Sequence, residues 1–132
     1  MRRAKLLWRW APAVLWSAVL LTMSGNAGSS TITESILSVF VAPESPWFDV
    51  VHFLLRKTGH VVAYGILGWL NFRASRRPVI AVVLAIVVAS LDEYRQSFYA
   101  SRTGVPTDVL IDACGATLAQ LIGPLRIAPG PS

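Results

Sequence analysis

The sequence predicts an all-α integral membrane protein in which four transmembrane helices form one bundle. Composition is the first reason, because the 132 residues are 54% hydrophobic and only 14% charged, with a mean hydropathy of +0.54. A soluble domain of this length needs more polar surface than that. The second reason is that the apolar residues fall into four long stretches, and the third is that charges cluster where those stretches end.

The four apolar stretches cover residues of about 6–23, 47–72, 79–98 and 108–125. Each is close to the roughly 20 residues that an α-helix needs to cross ~30 Å of hydrocarbon. Transmembrane strands are disfavoured because the stretches lack period-two alternation and a lone ribbon would leave backbone groups unsatisfied in lipid. We therefore predict a single domain over residues 1–127 and a loose tail over residues 128–132.

The flanking charges set the predicted orientation. All seven acidic residues lie toward one side of the predicted bundle, whereas eight of the twelve Lys and Arg residues lie toward the other. Those eight are Arg2, Arg3, Lys5, Arg9, Arg73, Arg76, Arg77 and Arg126. Because cytoplasmic loops are enriched in Lys and Arg, both termini are predicted to be cytoplasmic and the two longer connections to face outward.

The first outer connection, residues 24–46, is predicted to contain a short helix lying on the membrane surface. Thr31 and Glu34 have capping-box spacing, and apolar residues recur along the segment after them. Ser45 followed by Pro46 predicts the start of the second long helix. The first stretch also resembles a signal peptide, so residues 1–27 are either a retained helix or a cleaved signal.

Polar residues inside the last three stretches are the main functional signal. Counted from the cytoplasmic ends, His60, Asp92 and Asp112 lie at one depth, roughly 18 to 20 Å from the inner boundary at 1.5 Å per residue. One turn further outward lies a second layer, and helical spacing places both layers on one face of each helix. This second layer consists of Lys57, Gln96 and Asp108.

These polar faces are predicted to form a cleft that opens outward, because ionisable groups within a bilayer are costly and mark functional sites. The cleft suits an anionic ligand such as a lipid-linked phosphate, held by Lys57 and by Arg102 of the 99–107 connection. The candidate catalytic residues are His60, Asp92, Glu93 and Asp112, with His60 as the proton-exchanging group. The candidate ligand-binding residues are Lys57, His60, Tyr64, Gln96, Arg102 and Asp108.

Three functions stay open at this point: an accessory protein that binds a ligand, a membrane-embedded hydrolase or transferase acting on lipid phosphates, and a structural bundle whose buried ion pairs fix helix register. No cofactor and no metal site are expected, because the chain has no HxxxH or HExxH pattern and Cys114 is its one cysteine. Nucleic acid is not an expected partner, since the basic residues form no continuous stripe. Membrane lipids are expected partners, and a homo-oligomer is possible.

Two blocks of the sequence resemble the VanZ-like family of small membrane proteins. They are RKTGHVVAYGILGWL, residues 56–70, and LDEYRQSFYASRTGVPTDVLIDACGATLAQLIG, residues 91–123. The positions that match the family's motifs are Lys57, His60, Tyr64, Asp92, Glu93, Gln96, Phe98, Arg102, Asp108, Asp112 and Gly115. The resemblance implies a multi-pass protein of the bacterial inner (plasma) membrane with a link to the cell envelope and to glycopeptide susceptibility, and it supplies no reaction.

Overall fold

The structure, a computed structural model, describes the backbone of residues 2–23, 30–98 and 106–127 and the side chains of residues 5–23, 32–98 and 106–122. Within these ranges the chain is all-helical and contains no strand, as predicted. The five helices are α1 Arg2–Met23, α2 Ser30–Leu37, α3 Phe48–Ser75, α4 Pro78–Gln96 and α5 Pro106–Ile127. The predicted tail, 128–132, lies outside the described residues, and the division into a single domain stays a prediction.

Two predicted helix starts are wrong by one or two residues. The helix α3 begins at Phe48 with Trp47 as its N-cap, and not at Ser45 and Pro46. The Ser45 carbonyl accepts a hydrogen bond of 3.0 Å from the Phe48 N–H, and its hydroxyl accepts one from the Trp47 N–H. Ser45 therefore closes a turn before the helix. Thr31 lies inside α2, which begins one residue earlier, so it is not an N-cap.

The connection between α3 and α4 is short because its residues have the conformations that a sharp reversal needs. Arg76 has a left-handed backbone with φ of 60°, and its N–H donates to the Phe72 carbonyl, which ends α3. Arg77 is extended, and Pro78 follows at the first position of α4. At that position the backbone N–H has no partner within the helix, so a proline loses no hydrogen bond. The two helices therefore run in opposite directions.

Contacts between the long helices show that their directions alternate. Arg9 donates to the Ala74 carbonyl and Trp16 to the Ala63 carbonyl, so α1 and α3 are antiparallel. By contrast α3 and α5 are parallel, because Gly65 lies beside Gly115 and Gly68 beside Ala116. The α3–α5 pair also makes the most extensive helix contact. A chain that crossed a membrane four times would have this alternation.

Small residues bring the middle parts of α3 and α5 into close contact. A Cβ added at Gly68 would lie 2.7 Å from the Ala116 carbonyl oxygen, and one at Gly115 would lie 3.0 Å from the Val61 Cα atom. We call Gly68, Gly115 and Ala116 the small-residue seam. Gly59, in contrast, has open space where its Cβ would be, so it does not contribute to helix contact.

The core next to the seam is apolar and tightly closed. Its buried members are Tyr64, Leu67, Ala85, Ala89 and Ala116. Many large apolar side chains instead face outward, including Leu7, Val14, Val83, Leu118 and Ile122. Among the described helices, α1 over Lys5–Met23 is long and apolar enough to cross a membrane, and a signal sequence would meet the same criterion. The helix α3 carries Lys57 and His60, and α4 carries Asp92, Glu93 and Arg95, within their apolar runs.

Candidate functional site: a buried polar cluster

Eight polar residues from three helices come together at one end of the bundle. This polar cluster contains Lys57, His60 and Tyr64 from α3, Asp92, Glu93 and Gln96 from α4, and Asp108 and Asp112 from α5. It lies where α4 ends and α5 begins. All of its members were singled out from the sequence. Their meeting follows from the parallel course of α3 and α5, which places equivalent turns side by side.

His60 and Asp112 form the centre of the polar cluster. The His60 Nδ1 atom lies 2.9 Å from the Asp112 Oδ1 atom, and the Asp112 side chain is only 1% exposed. When Nδ1 carries a proton it donates to the carboxylate, which fixes the ring and leaves Nε2 as the nitrogen that can exchange a proton with a ligand. The neighbouring Tyr64 ring lies nearly parallel to the imidazole, with an interplanar angle of 9°.

Lys57 and Asp108 form an ion pair one helical turn closer to the end of the bundle. The Lys57 ammonium also lies 5.4 Å from the centre of the Phe53 ring, at cation–π distance. Asp108 is in the first turn of α5, where the helix dipole favours a negative charge. Lys57 is therefore held by a carboxylate and a ring, while part of its side chain remains exposed.

The α4 side of the polar cluster consists of carboxylates and an amide. Gln96 donates a hydrogen bond of 3.0 Å to Asp92, and both side chains are buried. Asp92 and Glu93 lie close enough to Tyr64 to interact with it electrostatically, and Asp92 does so with Asp112. The Tyr64 hydroxyl is buried and has no hydrogen-bond partner among the described residues. It is thus available to a ligand or a water molecule.

Exposure within the polar cluster is greatest at two residues of α3. The side chains of Lys57 and His60 are 25% and 22% exposed, whereas Tyr64 and Asp112 are almost completely buried. Beyond Tyr64, Leu67 and Ala116 are fully buried and close the interior. Among the described residues, the polar cluster is therefore most open at Lys57 and His60, toward the N-terminal end of α3.

Carboxylates outnumber cations in the described part of the polar cluster. Four carboxylates, from Asp92, Glu93, Asp108 and Asp112, accompany one lysine and one histidine. The second predicted cation, Arg102, lies outside the described residues. Phe98, a further motif residue, is at the surface in an edge-to-face contact with Tyr94. Among the described residues no group of three or more His, Cys, Asp or Glu side chains is placed to hold a metal ion.

The structure adds interior polar residues that the sequence did not single out. Asn71 is buried and donates to the Ala81 carbonyl, and Gln120 is buried and donates to the Ala116 carbonyl. Arg95 donates to the Leu21 carbonyl in the last turn of α1. Asn71 and Gln120 lie in apolar runs and have no ionisable residue three or four positions away, which is why the pattern did not reveal them.

With the fold and the polar cluster described, the family can be stated. A family model described as VanZ/LLP1 matches residues 9–126, which is nearly the whole chain. The chain belongs to the VanZ/LLP1 family. The resemblance seen in two sequence blocks is thus confirmed, and it extends to α1 as well. VanZ/LLP1 proteins are in general membrane-associated, and α1 supplies a helix that could cross a membrane. No curated protein and no solved structure matches the chain.

Proposed function

We propose that this VanZ/LLP1 protein is a four-span protein of the bacterial inner membrane that binds an anionic envelope lipid through its polar cluster. Four observations support the membrane arrangement: the family, the apolar α1, the alternating directions of the long helices, and the outward-facing apolar side chains. Basic residues at one end, including Arg9, Arg73, Arg76 and Arg77, support a cytoplasmic position for that end. The polar cluster then opens outward, and α2 lies on the outer surface.

The partly exposed Lys57 at the mouth of the polar cluster carries the proposal. Its ammonium can exchange Asp108 for the phosphate of a lipid, and Arg102 supplies a second cation from the adjoining connection. Behind Lys57, His60 and Tyr64 offer a ring nitrogen and a hydroxyl to the same head group. Such binding makes the protein an accessory factor of the cell envelope, and it alters glycopeptide susceptibility by occupying lipid-linked precursors.

Binding is tested with purified protein and a polyprenyl phosphate, using native mass spectrometry to count retained lipid. Lys57→Ala and Arg102→Ala are expected to lower lipid retention. Lys5→Ala, near the start of α1 and at the opposite end of the bundle from Lys57, is the matched control and should leave lipid retention unchanged. Equal retention in all three variants would exclude the anion site. The role in susceptibility is tested by comparing cells that express the native protein with cells that express Lys57→Ala. The teicoplanin concentration that inhibits growth should fall, in the Lys57→Ala cells, to the value measured with an empty vector.

The His60–Asp112 hydrogen bond favours a second candidate, a membrane-embedded phosphohydrolase or phosphotransferase. A buried carboxylate that orients a histidine is the arrangement of a general base, and the His60 side chain is 22% exposed. In a hydrolase of this kind His60 would take a proton from water as the water attacks the phosphate. The histidine would then return the proton to the leaving oxygen.

Release of inorganic phosphate from polyprenyl pyrophosphate distinguishes this candidate from binding alone. For a hydrolase, His60→Ala should abolish release, and the chain's other histidine provides the matched control, His52→Ala. Retained lipid without phosphate release identifies a binding protein. If matched apolar residues replace Lys57 and Asp108 together and every phenotype persists, the polar cluster is purely structural.

A further inference from the structure

A long apolar groove runs along the outside of the α3–α5 pair. Its volume is about 550 Å³, within the roughly 300 to 1,000 Å³ that is typical of ligand pockets. The walls are aliphatic or aromatic, and the floor is formed by small residues. Its lining residues are Val61, Val62, Gly65, Ile66, Trp69, Gly115, Leu118, Ala119 and Ile122. We call this surface the α3–α5 groove.

The α3–α5 groove begins where the polar cluster ends. Val61 directly follows His60, and Gly115 lies three residues after Asp112. From Val61 the groove continues to Trp69 and Ile122, a length of roughly 12 Å along the helix at 1.5 Å per residue. The polar cluster and the α3–α5 groove thus lie on the same pair of helices, with the polar cluster nearer the N-terminal ends of α3 and α5.

We propose that the α3–α5 groove holds a hydrocarbon chain of the same lipid whose phosphate lies at Lys57 and His60. This inference rests on the proposed function and specifies its ligand as a phosphate carrying a single alkyl or isoprenyl chain. A chain seated there runs from the outer end toward the middle of the bundle, which is the course of a lipid in the outer leaflet. Small residues at Gly65 and Ala119 leave room for it.

A second copy of this chain is the competing occupant. Small residues often line helix–helix contacts in membranes. In this protein, however, Gly115 is already used within the bundle, since an added Cβ would meet Val61. The side chains at the rim, Val62, Leu118 and Ile122, are large and exposed, so they leave an open trough between α3 and α5. A trough between bulky walls fits a flexible chain better than a second helix.

The experiment blocks the α3–α5 groove without touching the polar cluster. Ala119→Trp fills the groove, and Ala18→Trp places the same side chain on an exposed face of α1 as the matched control. The probes are dodecyl phosphate, farnesyl phosphate, dodecanol and inorganic phosphate, with retention measured by native mass spectrometry in micelles. Ala119→Trp is expected to lower retention of the long-chain phosphates by about tenfold, equivalent to ~1.4 kcal/mol, while Ala18→Trp has no effect.

The probes separate failure of the groove from failure of the phosphate site. Three outcomes would overturn the proposal that the groove holds the chain. They are an equal loss of retention in both Trp variants, undiminished retention in Ala119→Trp, and the absence of any retained long-chain compound. Dodecanol retained as well as dodecyl phosphate, with both lost in Ala119→Trp, supports the groove and refutes the phosphate site. A preference between the dodecyl and farnesyl chains identifies the source as an acyl or an isoprenoid lipid.

A second measurement needs no variant and therefore does not depend on how Ala119→Trp folds. An alkyl phosphate with a photoreactive diazirine at the end of its chain is bound to the native protein and irradiated. Labelled peptides are expected to carry Val62, Ile66 or Leu118 if the chain lies in the α3–α5 groove. Labelling confined to α1 and α4 would contradict the proposal, and a mass that doubles without retained lipid identifies the second copy as the occupant.

Discussion

The N-terminal and middle parts of α3 and α5 are packed by different chemistry. In the N-terminal parts, Lys57 pairs with Asp108 and His60 with Asp112, whereas in the middle parts the backbones meet at the small-residue seam. In lipid, helices associate mainly through close packing, and buried charges weaken a bundle unless each is paired. The comparison indicates that the middle parts stabilise the fold, whereas the N-terminal parts carry the polar cluster to which the proposed function assigns ligand binding.

Enlarging the small-residue seam is expected to have the largest effect on stability. Gly68→Ala places a methyl group 2.7 Å from the Ala116 carbonyl oxygen, so α3 and α5 must separate, at about 1–3 kcal/mol of unfolding free energy. The matched control is Gly59→Ala, which meets nothing within 4 Å and should be neutral or stabilising because alanine favours a helix. Denaturant unfolding in micelles, followed by circular dichroism, measures both. Equal losses would mean that the seam does not hold the helices together.

Removing the central carboxylate is expected to affect stability less and binding more. Asp112→Ala eliminates the hydrogen bond to His60, and such bonds in membrane proteins contribute ~0.6–1.7 kcal/mol. The same change should abolish lipid retention, because His60 loses its orientation. Asp49→Ala in the exposed first turn of α3 is the control. A destabilised Asp112→Ala protein that retains lipid normally would assign Asp112 to the fold alone.

The ion pair at the mouth is expected to contribute still less. A double-mutant cycle with Lys57→Ala and Asp108→Ala should give a coupling free energy of roughly 0.2–1 kcal/mol, since both side chains are partly exposed. Added salt should reduce that coupling through screening. Coupling of several kcal/mol, unchanged by salt, would show instead that this pair is a main determinant of stability.

The smallest expected effect concerns the contact of α1 with α3. Trp16→Phe removes the N–H that donates to the Ala63 carbonyl at 2.9 Å, and about 0.6 kcal/mol of stability should be lost. Trp8→Phe on an exposed part of α1 is the control and should change nothing. Thermal unfolding of the two variants measures the difference. Complete loss of the folded bundle with Trp16→Phe would indicate that α1 organises the other helices.

Sequence reasoning predicts the polar cluster better than the rest of the bundle, for a physical reason. Depth counts and helical spacing are periodic, so they bring Lys57 to the level of Asp108 and His60 to that of Asp112. Contacts that depend on rotation between helices, such as Trp16 with Ala63, have no periodic signature. Gly59 is a further example, because glycine permits close helix packing and yet its side of α3 is open.

Helix ends were also less predictable than helix positions. The apolar runs located all four long helices, but α3 extends to Ser75 and α5 to Ile127, beyond the predicted 72 and 125. The apolar run of a helix ends where the helix is predicted to leave the hydrocarbon core of the membrane. The helix itself continues through its backbone hydrogen bonds until a residue such as Arg76 turns the chain. The number of membrane crossings stays a prediction, since charges in α3 and α4 lower their apolar character.

The parallel course of α3 and α5 has a consequence for biogenesis. Lys57 and His60 are separated from their partners by 51 and 52 residues, so in the proposed arrangement α3 leaves the ribosome well before α5 is synthesised. Until then its two basic side chains lack the carboxylates of Asp108 and Asp112, and only Asp92 and Glu93 of α4 can precede them. In the proposed arrangement, an insertase or translocon is therefore expected to shelter α3 until α5 arrives, which would couple the insertion of the last three helices.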